Sequence, residues 1–176
     1  MNQKTALVSL ILLLLAFSIL SCENRKEPAS KPSDQELRED LLKHNRNLVL
    51  TEDERILAFI KRRGWEMSQS GTGLYYQIIG EEGVKAQKGD RVFVSYKIQL
   101  LNGDLAYESN EGEFEQFVVA QDAVESGLHE GIQLMSVGQK AKFIVPPHLG
   151  HGLTGDQNKI PSNASLVVFI KLEGIK

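Results

Sequence analysis

Two histidines three residues apart, His148 and His151, are the side chains whose types and spacing first suggest chemistry. Imidazoles at this spacing can bind a metal ion, but a zinc site normally needs three or four ligands with supporting hydrogen bonds. Their neighbours are proline, leucine and glycine, His129 belongs to another segment, and Cys22 is the only cysteine. The sequence also shows no glycine-rich phosphate loop and no Ser-His-Asp signature. We therefore predict a site that uses no metal and no other cofactor.

The next candidates are aromatic side chains on predicted strands. Apolar and polar residues alternate over residues 92–100, which places Tyr96 on the inward face of that strand. Phe117 lies in a second short apolar stretch, residues 114–119. Each aromatic side chain could line a pocket or simply belong to the core. A solvated loop is expected for the nearby acidic residues, Glu111, Glu113 and Glu115.

The pattern around these residues predicts a mostly antiparallel sheet with one short helix. Asn102-Gly103 is a favoured two-residue hairpin turn after the strand that contains Tyr96. Two glycines limit residues 124–135 to a short helix. A proline pair ends the next strand, and the loop that follows is long enough to be a binding loop. The fold class is therefore α+β, with further strands at residues 74–79, 105–109, 114–119, 141–145 and 164–173.

Residues 127–138, Gly-Leu-His-Glu-Gly-Ile-Gln-Leu-Met-Ser-Val-Gly, form the most informative stretch of the chain. Tyr107-Glu108-Ser109 precedes it, and three further motifs follow it: Ile144-Val145-Pro146-Pro147, Gly150-His151-Gly152 and Ile160-Pro161. In order and spacing, these motifs resemble the FKBP-type peptidyl-prolyl cis/trans isomerases over about residues 73–174. The resemblance implies an FKBP-like curved antiparallel β-sheet wrapped around one short α-helix, in a domain at residues 70–176.

The resemblance also implies catalysis of rotation about X-Pro bonds. The barrier of about 18–20 kcal/mol arises because amide resonance is lost as the C–N bond twists. A catalyst need only bind the twisted amide more tightly than the planar one. An apolar pocket disfavours the more polar planar amide, and one or two hydrogen-bond donors stabilise the turned carbonyl. Such a mechanism uses neither a metal nor a nucleophile.

Site residues follow from the same resemblance. The implied catalytic residues are Tyr96, Tyr107, Glu108 and His151. The implied substrate contacts are Phe117, Val124, Glu125, Leu128, Ile160 and Val168.

Several of these positions depart from the family pattern. Leu128 replaces a floor residue that is Trp in many members, His151 replaces a Tyr, and Glu125 replaces an Ile. Val168 replaces another aromatic residue, and Glu115 falls near a usual Phe unless a small gap brings Phe114 there. These changes predict a wider and more polar pocket. They leave open a second function, in which a catalytically weak or inactive domain binds proline-containing or hydrophobic segments as a chaperone or a structural subunit.

The first residues are typical of a bacterial lipoprotein signal. Residues 6–20 are almost entirely apolar, and the run is shorter than the roughly 18 residues of a membrane-spanning helix. A small residue then precedes Cys22, which in lipoproteins becomes the lipidated N-terminus. We expect a signal peptide at residues 1–21 and a flexible tether at residues 22–33. An uncleaved signal anchor or a plain signal peptide is the alternative.

A helical extension is predicted at residues 34–69. Ser33 and Thr51 each precede a glutamate by three residues, which suggests N-caps of two short helices, and Gly64 suits a C-cap. The second helix either packs on its own domain or forms a docking or dimerisation arm. We favour packing because so short a helix needs tertiary contacts to persist. The protein is accordingly expected to be a monomer, or a dimer through residues 34–63.

Charge and architecture together suggest the partners. Removal of residues 1–21 would take away only Lys4 and leave a formal charge of −4, which does not favour nucleic acid. A lone domain on a lipoprotein anchor most resembles the gliding-motility-associated isomerase lipoproteins within the family. We therefore expect proline-containing clients in a bacterial cell envelope, with the protein held at a membrane by lipid on Cys22 on the periplasmic side or at the outer membrane.

Overall fold

The computed structural model describes residues 33–176, without the side chain of Leu48. The predicted signal peptide, the lipidated Cys22 and almost all of the tether lie outside the described residues. Residues His44–Lys176 form one compact unit. In chain order the elements are α1 (Asp34–Arg63), β1 (Ser68–Gln69), β2 (Tyr75–Ile79), β3 (Arg91–Leu100), β4 (Leu105–Glu108), β5 (Glu115–Val118), α2 (Ser126–Leu134), β6 (Lys140–Val145), a 3-10 turn (Pro147–Leu149) and β7 (Leu166–Ile175).

All seven strands join one antiparallel sheet. The order is β1-β2-β6-β7-β3-β4, and β5 also pairs with β3. The two short strands share one edge of β3, because β5 pairs with its first half and β4 with its second half. Tyr96 at the centre of β3 lies opposite Ile170 of β7. The predicted α+β class and FKBP-like sheet are confirmed.

The main hydrophobic core lies between α2 and one face of the sheet. Strand alternation sends Phe143 and Val168 to this face, and both side chains are at most 1% exposed. Gly131 of α2 faces the Phe143 ring, and an added Cβ would lie 2.7 Å from two ring carbons. Only glycine therefore lets α2 approach the sheet this closely.

The opposite face of the sheet is covered by the C-terminal half of α1. Ile56 and Phe59 pack against Ile144 and Val167, the strand neighbours of the two main-core residues. The phenol of Tyr75 donates a hydrogen bond to Asp53 Oδ1 at 2.5 Å. This helix segment thus packs on its own domain, as favoured from the sequence.

The extension forms one helix of 30 residues rather than two. At its start, the Ser33 N–H donates to Glu36 Oε2 at 2.8 Å and the Glu36 N–H donates to Ser33 Oγ at 3.2 Å, which confirms the capping box. The prediction of a second N-cap at Thr51 was wrong. No glycine or proline interrupts residues 34–63, and a break would leave two more helix ends with unpaired backbone groups. Gly64, with φ of 62°, ends the helix as predicted.

The first part of α1 exposes several apolar side chains. Half or more of the side-chain surface is open to solvent at several apolar positions in the first part of α1, namely Leu41, Leu42, Val49 and Leu50. Within residues 33–176, no helix has the length and apolar character needed to cross a membrane.

Candidate functional site

A cavity of about 470 Å3 opens at the end of the main core, between β3, β5, α2 and the long loop after β6. Its apolar wall consists of Val94, Ile98, Phe117, Val124, Leu128 and Ile170. Its polar lining consists of Tyr96, Tyr107, Glu115, Gln116, Glu125, His151, Asp156 and Asn158. The site therefore combines an apolar pocket with a ring of hydrogen-bonding groups.

Regular alternation on β3 positions the central tyrosine. Val94, Tyr96 and Ile98 point to the same face, and Tyr96 is flanked by β4 and β5 on one side and β7 on the other. The Tyr96 N–H donates to Ser109 Oγ at 3.0 Å, and the Ser109 N–H donates to the Tyr96 carbonyl at 3.0 Å. These bonds hold the β3 backbone against the segment after β4, so the side chain enters the cavity from a rigid strand.

The pKa of Tyr96 is raised, mainly by burial of the side chain and secondly by the nearby carboxylates of Glu115 and Glu125. Both causes disfavour the phenolate, so the hydroxyl remains a hydrogen-bond donor at neutral pH. A donor inside a largely apolar cavity is suited to a carbonyl oxygen of a bound peptide.

Helix α2 supplies the floor. Its N-cap is Glu125, and its first turn carries Leu128, which is 8% exposed and packs in the main core. Two glycines bring the helix close to β6 and the loop after it: an added Cβ at Gly127 would lie 2.7 Å from Val145 Cγ1. The close approach of the helix to the sheet thus places Leu128 at the cavity.

A hydrogen-bonded network ties β4 to the long loop after β6. The Tyr107 hydroxyl donates to Asp156 Oδ2, and Asn158 Nδ2 donates to the Tyr107 oxygen at 3.3 Å. Asp156 Oδ1 accepts the backbone N–H groups of Asn158 at 2.9 Å and Ile160 at 2.7 Å. The hydrogen bond from Tyr107 is the main reason that the pKa of Asp156 falls to about 2, and the same bond raises the pKa of Tyr107.

A second contact joins the same loop to α2. His151 Nε2 lies 2.7 Å from Glu125 Oε1, and both side chains are more than two-thirds buried. The contact is an ion pair when the imidazole is protonated, and otherwise a hydrogen bond from the neutral imidazole to the carboxylate. Together with the Tyr107–Asp156 bond, it holds the loop against β4 and against the start of α2 at the cavity.

The two histidines that suggested metal chemistry serve different partners. His148 Nε2 lies 2.8 Å from the carbonyl oxygen of Thr72, and His148 is not part of the cavity lining. His151 lines the cavity and contacts Glu125. Among residues 33–176, no three histidine, cysteine or acidic side chains come together as a metal site.

Most of the predicted site residues meet at the cavity. These are Tyr96, Tyr107, Phe117, Val124, Glu125, Leu128 and His151. Phe117 packs edge-on against His129, with ring centroids 5.4 Å apart, so it belongs to the core as well as to the wall.

Three predicted residues lie outside the cavity lining. Glu108 follows Tyr107 on a strand, so its side chain points to the other face, where its carboxylate lies 3.9 Å from Lys97 Nζ. Ile160 and Val168 are 2% and 1% exposed and pack in the main core. Ile170, two residues after Val168 on the same face of β7, lines the cavity instead.

Sequence reasoning missed Asp156 and Asn158. Both lie in the long loop, and their Asp-Gln-Asn sequence forms a turn in which the aspartate accepts backbone N–H groups two and four residues later. That turn pattern was the available signal. Two interpretations of Glu115 were left open, a solvated acidic loop and a polar replacement near a usual pocket Phe. The structure agrees with the second, because Glu115 is on β5 on the same face as Phe117 and lines the cavity.

Comparison with known proteins agrees with this geometry. The model of the family described as FKBP-type peptidyl-prolyl cis-trans isomerase matches residues 82–173. FK506-binding protein 1A of Neurospora crassa is 35% identical over 109 residues, which cover 60% of this chain and 89% of that protein. FK506-binding protein 2 of Dictyostelium discoideum is 39% identical over 93 residues, which cover 52% of this chain and 70% of that protein.

A bacterial relative matches in both sequence and structure. The FKBP-type peptidyl-prolyl cis-trans isomerase FkpA of Escherichia coli is 32% identical over 119 residues, which span 67% of this chain but only 43% of FkpA. The crystal structure of FkpA from Escherichia coli superposes with a TM-score of 0.60 at 26% identity, covering 99% of this chain and 83% of that one. The fold, the cavity and these similarities lead to one conclusion: the chain belongs to the FKBP-type peptidyl-prolyl cis-trans isomerase family and is an isomerase of this type.

Proposed function

We propose that this isomerase acts on X-Pro bonds of proteins in a bacterial cell envelope, and that lipid on Cys22 holds it at a membrane. The observation that carries the proposal is the apolar cavity with the Tyr96 hydroxyl inside it, in a chain whose first residues match a lipoprotein signal. The apolar run at residues 6–20 and the sole cysteine directly after it support the location.

The proposed mechanism needs only binding. A proline ring contacts the apolar wall at Phe117 and Leu128, and the low polarity there disfavours the planar, more polar amide. The carbonyl of the preceding residue turns toward the Tyr96 hydroxyl, which stabilises the twisted state. His151, held by Glu125, stands at the same cavity as a second possible donor when it carries a proton on the free nitrogen.

NMR exchange spectroscopy on an Ala-Leu-Pro-Phe peptide tests the activity. We expect faster cis/trans exchange with the protein, and a loss of about tenfold in Tyr96→Phe, since that change removes one hydrogen bond and keeps the ring. Folded protein that binds the peptide and suppresses client aggregation without accelerating exchange would favour the alternative, a non-catalytic binding module. This alternative is supported by the polar groups in the cavity, Glu115, Glu125 and His151.

The anchor has a separate test, because Cys22 is the only cysteine. Cells that express the protein are fed a fatty acid with an alkyne tag, and the protein is then coupled to a dye. We expect label on the wild type and none on Cys22→Ala, which should also leave the membrane fraction. Equal membrane recovery of both forms would instead support an uncleaved signal anchor.

The clients are proposed to belong to a gliding-motility machine. The support is the likeness of the whole arrangement, a lipoprotein signal, a helical lead and a single isomerase domain, to the gliding-motility-associated lipoproteins. Deletion of the gene should reduce colony spreading in the bacterium that encodes it, and Tyr96→Phe should restore less spreading than the wild type. Normal spreading without the gene would reject this role while leaving isomerase activity unaffected.

We also propose that two copies pair through α1. Exposed Leu41, Leu42, Val49 and Leu50 are the supporting observation, since such apolar side chains gain from being covered. Light scattering of the mature chain and of a variant that carries Leu41→Ser, Leu42→Ser, Val49→Ser and Leu50→Ser should give dimer and monomer masses. Two monomer masses would dismiss the pairing.

A further inference from the structure

The charges around the cavity are unequally distributed. Three carboxylates line it, those of Glu115, Glu125 and Asp156, and among the described lining residues there is no lysine or arginine. The side chains that oppose them are His151 and, beyond the lining, Lys159, whose Nζ lies 5.0 Å from the centroid of the Tyr107 ring. Both belong to the loop after β6, so the negative charge of Glu115 on β5 has less positive charge close to it.

Two of the three carboxylates already have partners. Asp156 accepts hydrogen bonds from the Tyr107 hydroxyl and from two backbone N–H groups. Glu125 is 2.7 Å from His151. Glu115 differs: within residues 33–176 no basic side chain lies within 4.0 Å of its carboxylate, and the residue is exposed at the cavity mouth. It is therefore the acidic group that is free to meet a ligand.

The strand register directs Glu115 toward the place where a peptide must lie. Glu115 is paired with Val94 on β3, and it shares a face with Phe117 because the two are two residues apart on β5. A proline ring against Phe117 would thus lie about 7 Å from the Glu115 position along the strand, within reach of a neighbouring long side chain. Burial first, and then the nearby Glu115 and Glu125 carboxylates, raise the pKa of Tyr96, as expected for acidic groups close to its hydroxyl.

We propose that this isomerase prefers lysine or arginine over an acidic residue as the X of X-Pro segments, and that Glu115 determines the preference. The proposal deepens the proposed function, because it rests on the binding of X-Pro segments in this cavity. A cationic side chain before proline places its charge at the free carboxylate, whereas an acidic one meets like charge from Glu115 and Glu125. A solvent-screened pair changes affinity by up to about fivefold, and repulsion of glutamate adds to attraction of lysine, so we expect about a tenfold preference for lysine over glutamate at low salt.

The test compares Ala-Xaa-Pro-Phe peptides with Xaa as Lys, Leu or Glu, using the full chain in detergent micelles. Exchange rates give kcat/KM, and NMR titration of the same peptides gives Kd. The Lys to Glu ratio should be about tenfold at low salt and should shrink toward unity in about 0.5 M salt, where the Debye length is only a few ångströms. Glu115→Gln should reduce the ratio to about threefold, because Glu125 remains at the cavity but already contacts His151.

Glu111→Gln is the matched control, since it removes the same charge from an exposed position outside the cavity lining. It should keep the wild-type ratio. A wild-type ratio below about twofold, or an unchanged ratio in Glu115→Gln, overturns the proposal. If no peptide is isomerised, the catalytic part of the proposed function fails, and the Kd ratios still decide whether the cavity selects a cation.

Discussion

Replacing Phe59 by alanine should lower the free energy of unfolding by about 3–4 kcal/mol without altering the cavity. Phe59 is 4% exposed, and its ring meets Trp65 edge-on with centroids 5.6 Å apart. A phenylalanine buries about 150–250 Å2, which at about 25 cal/mol per Å2 sets an upper bound of about 4–6 kcal/mol. Because Trp65 is only partly buried and can close over the space, the expected cost is at the lower end of the range for such truncations.

Urea unfolding measures this cost, with Trp65, the only tryptophan, as the fluorescent probe. Leu57→Ala is the matched control, because Leu57 is on the same helix and is 49% exposed, and it should cost less than about 1 kcal/mol. Since Phe59 packs on the face of the sheet opposite the main core, kcat/KM of the folded variant should stay within about twofold of wild type. Equal costs for Phe59→Ala and Leu57→Ala would refute the conclusion that the C-terminal half of α1 is an integral part of the domain.

Two further predictions concern the loop and the helix that bound the cavity. Tyr107→Phe removes the main cause of the low Asp156 pKa. The stability that this low pKa provides is present above the ordinary aspartate pKa near 4 and is lost as pH falls toward 2. Urea unfolding should therefore give a lower free energy of unfolding for the variant than for the wild type at pH 7, and the difference should narrow at about pH 2.5. A constant gap would mean that lost packing, not the carboxylate, is responsible. Gly131→Ala should lower the melting temperature despite better helix propensity, because the new methyl group would press on the buried Phe143 ring; overpacking costs about 1–3 kcal/mol. Gly71→Ala, where an added Cβ meets nothing within 4 Å, is its control, and equal melting temperatures for the two variants would contradict the packing argument.

Much of the sheet could be predicted because strand alternation is local. The period of two along residues 92–100 already placed Tyr96 on the inward face, and the Asn102-Gly103 turn predicted the hairpin that follows. The two glycines of α2 limited its length, and the proline pair ended β6. Each of these signals depends on backbone preferences of neighbouring residues, so no knowledge of distant contacts was needed.

Other features depend on residues far apart in the chain. Asp156 meets Tyr107 across 49 positions, and no pattern in either segment predicts that contact. Glu108 and Val168 were assigned to the site by their positions in the family pattern. In the structure Glu108 lies on the outer face of its strand, and Val168 packs in the core. Glu115 fitted either an acidic loop or a polar pocket position by sequence, and its pairing with β3 decided that it faces the cavity.

The sequence by itself determined the class of fold, the inward face of β3 and the capping box at Ser33, because periodicity and turn chemistry are local properties of the chain. Most of the cavity residues followed from the resemblance of its motifs to the FKBP-type family. Only the tertiary structure decided that α1 is one helix, that its C-terminal half packs on the far face of the sheet, and which carboxylates around the cavity have partners. The physical reason is that a charge becomes free or paired according to which distant groups come within a few ångströms of it, and folding alone brings those groups together.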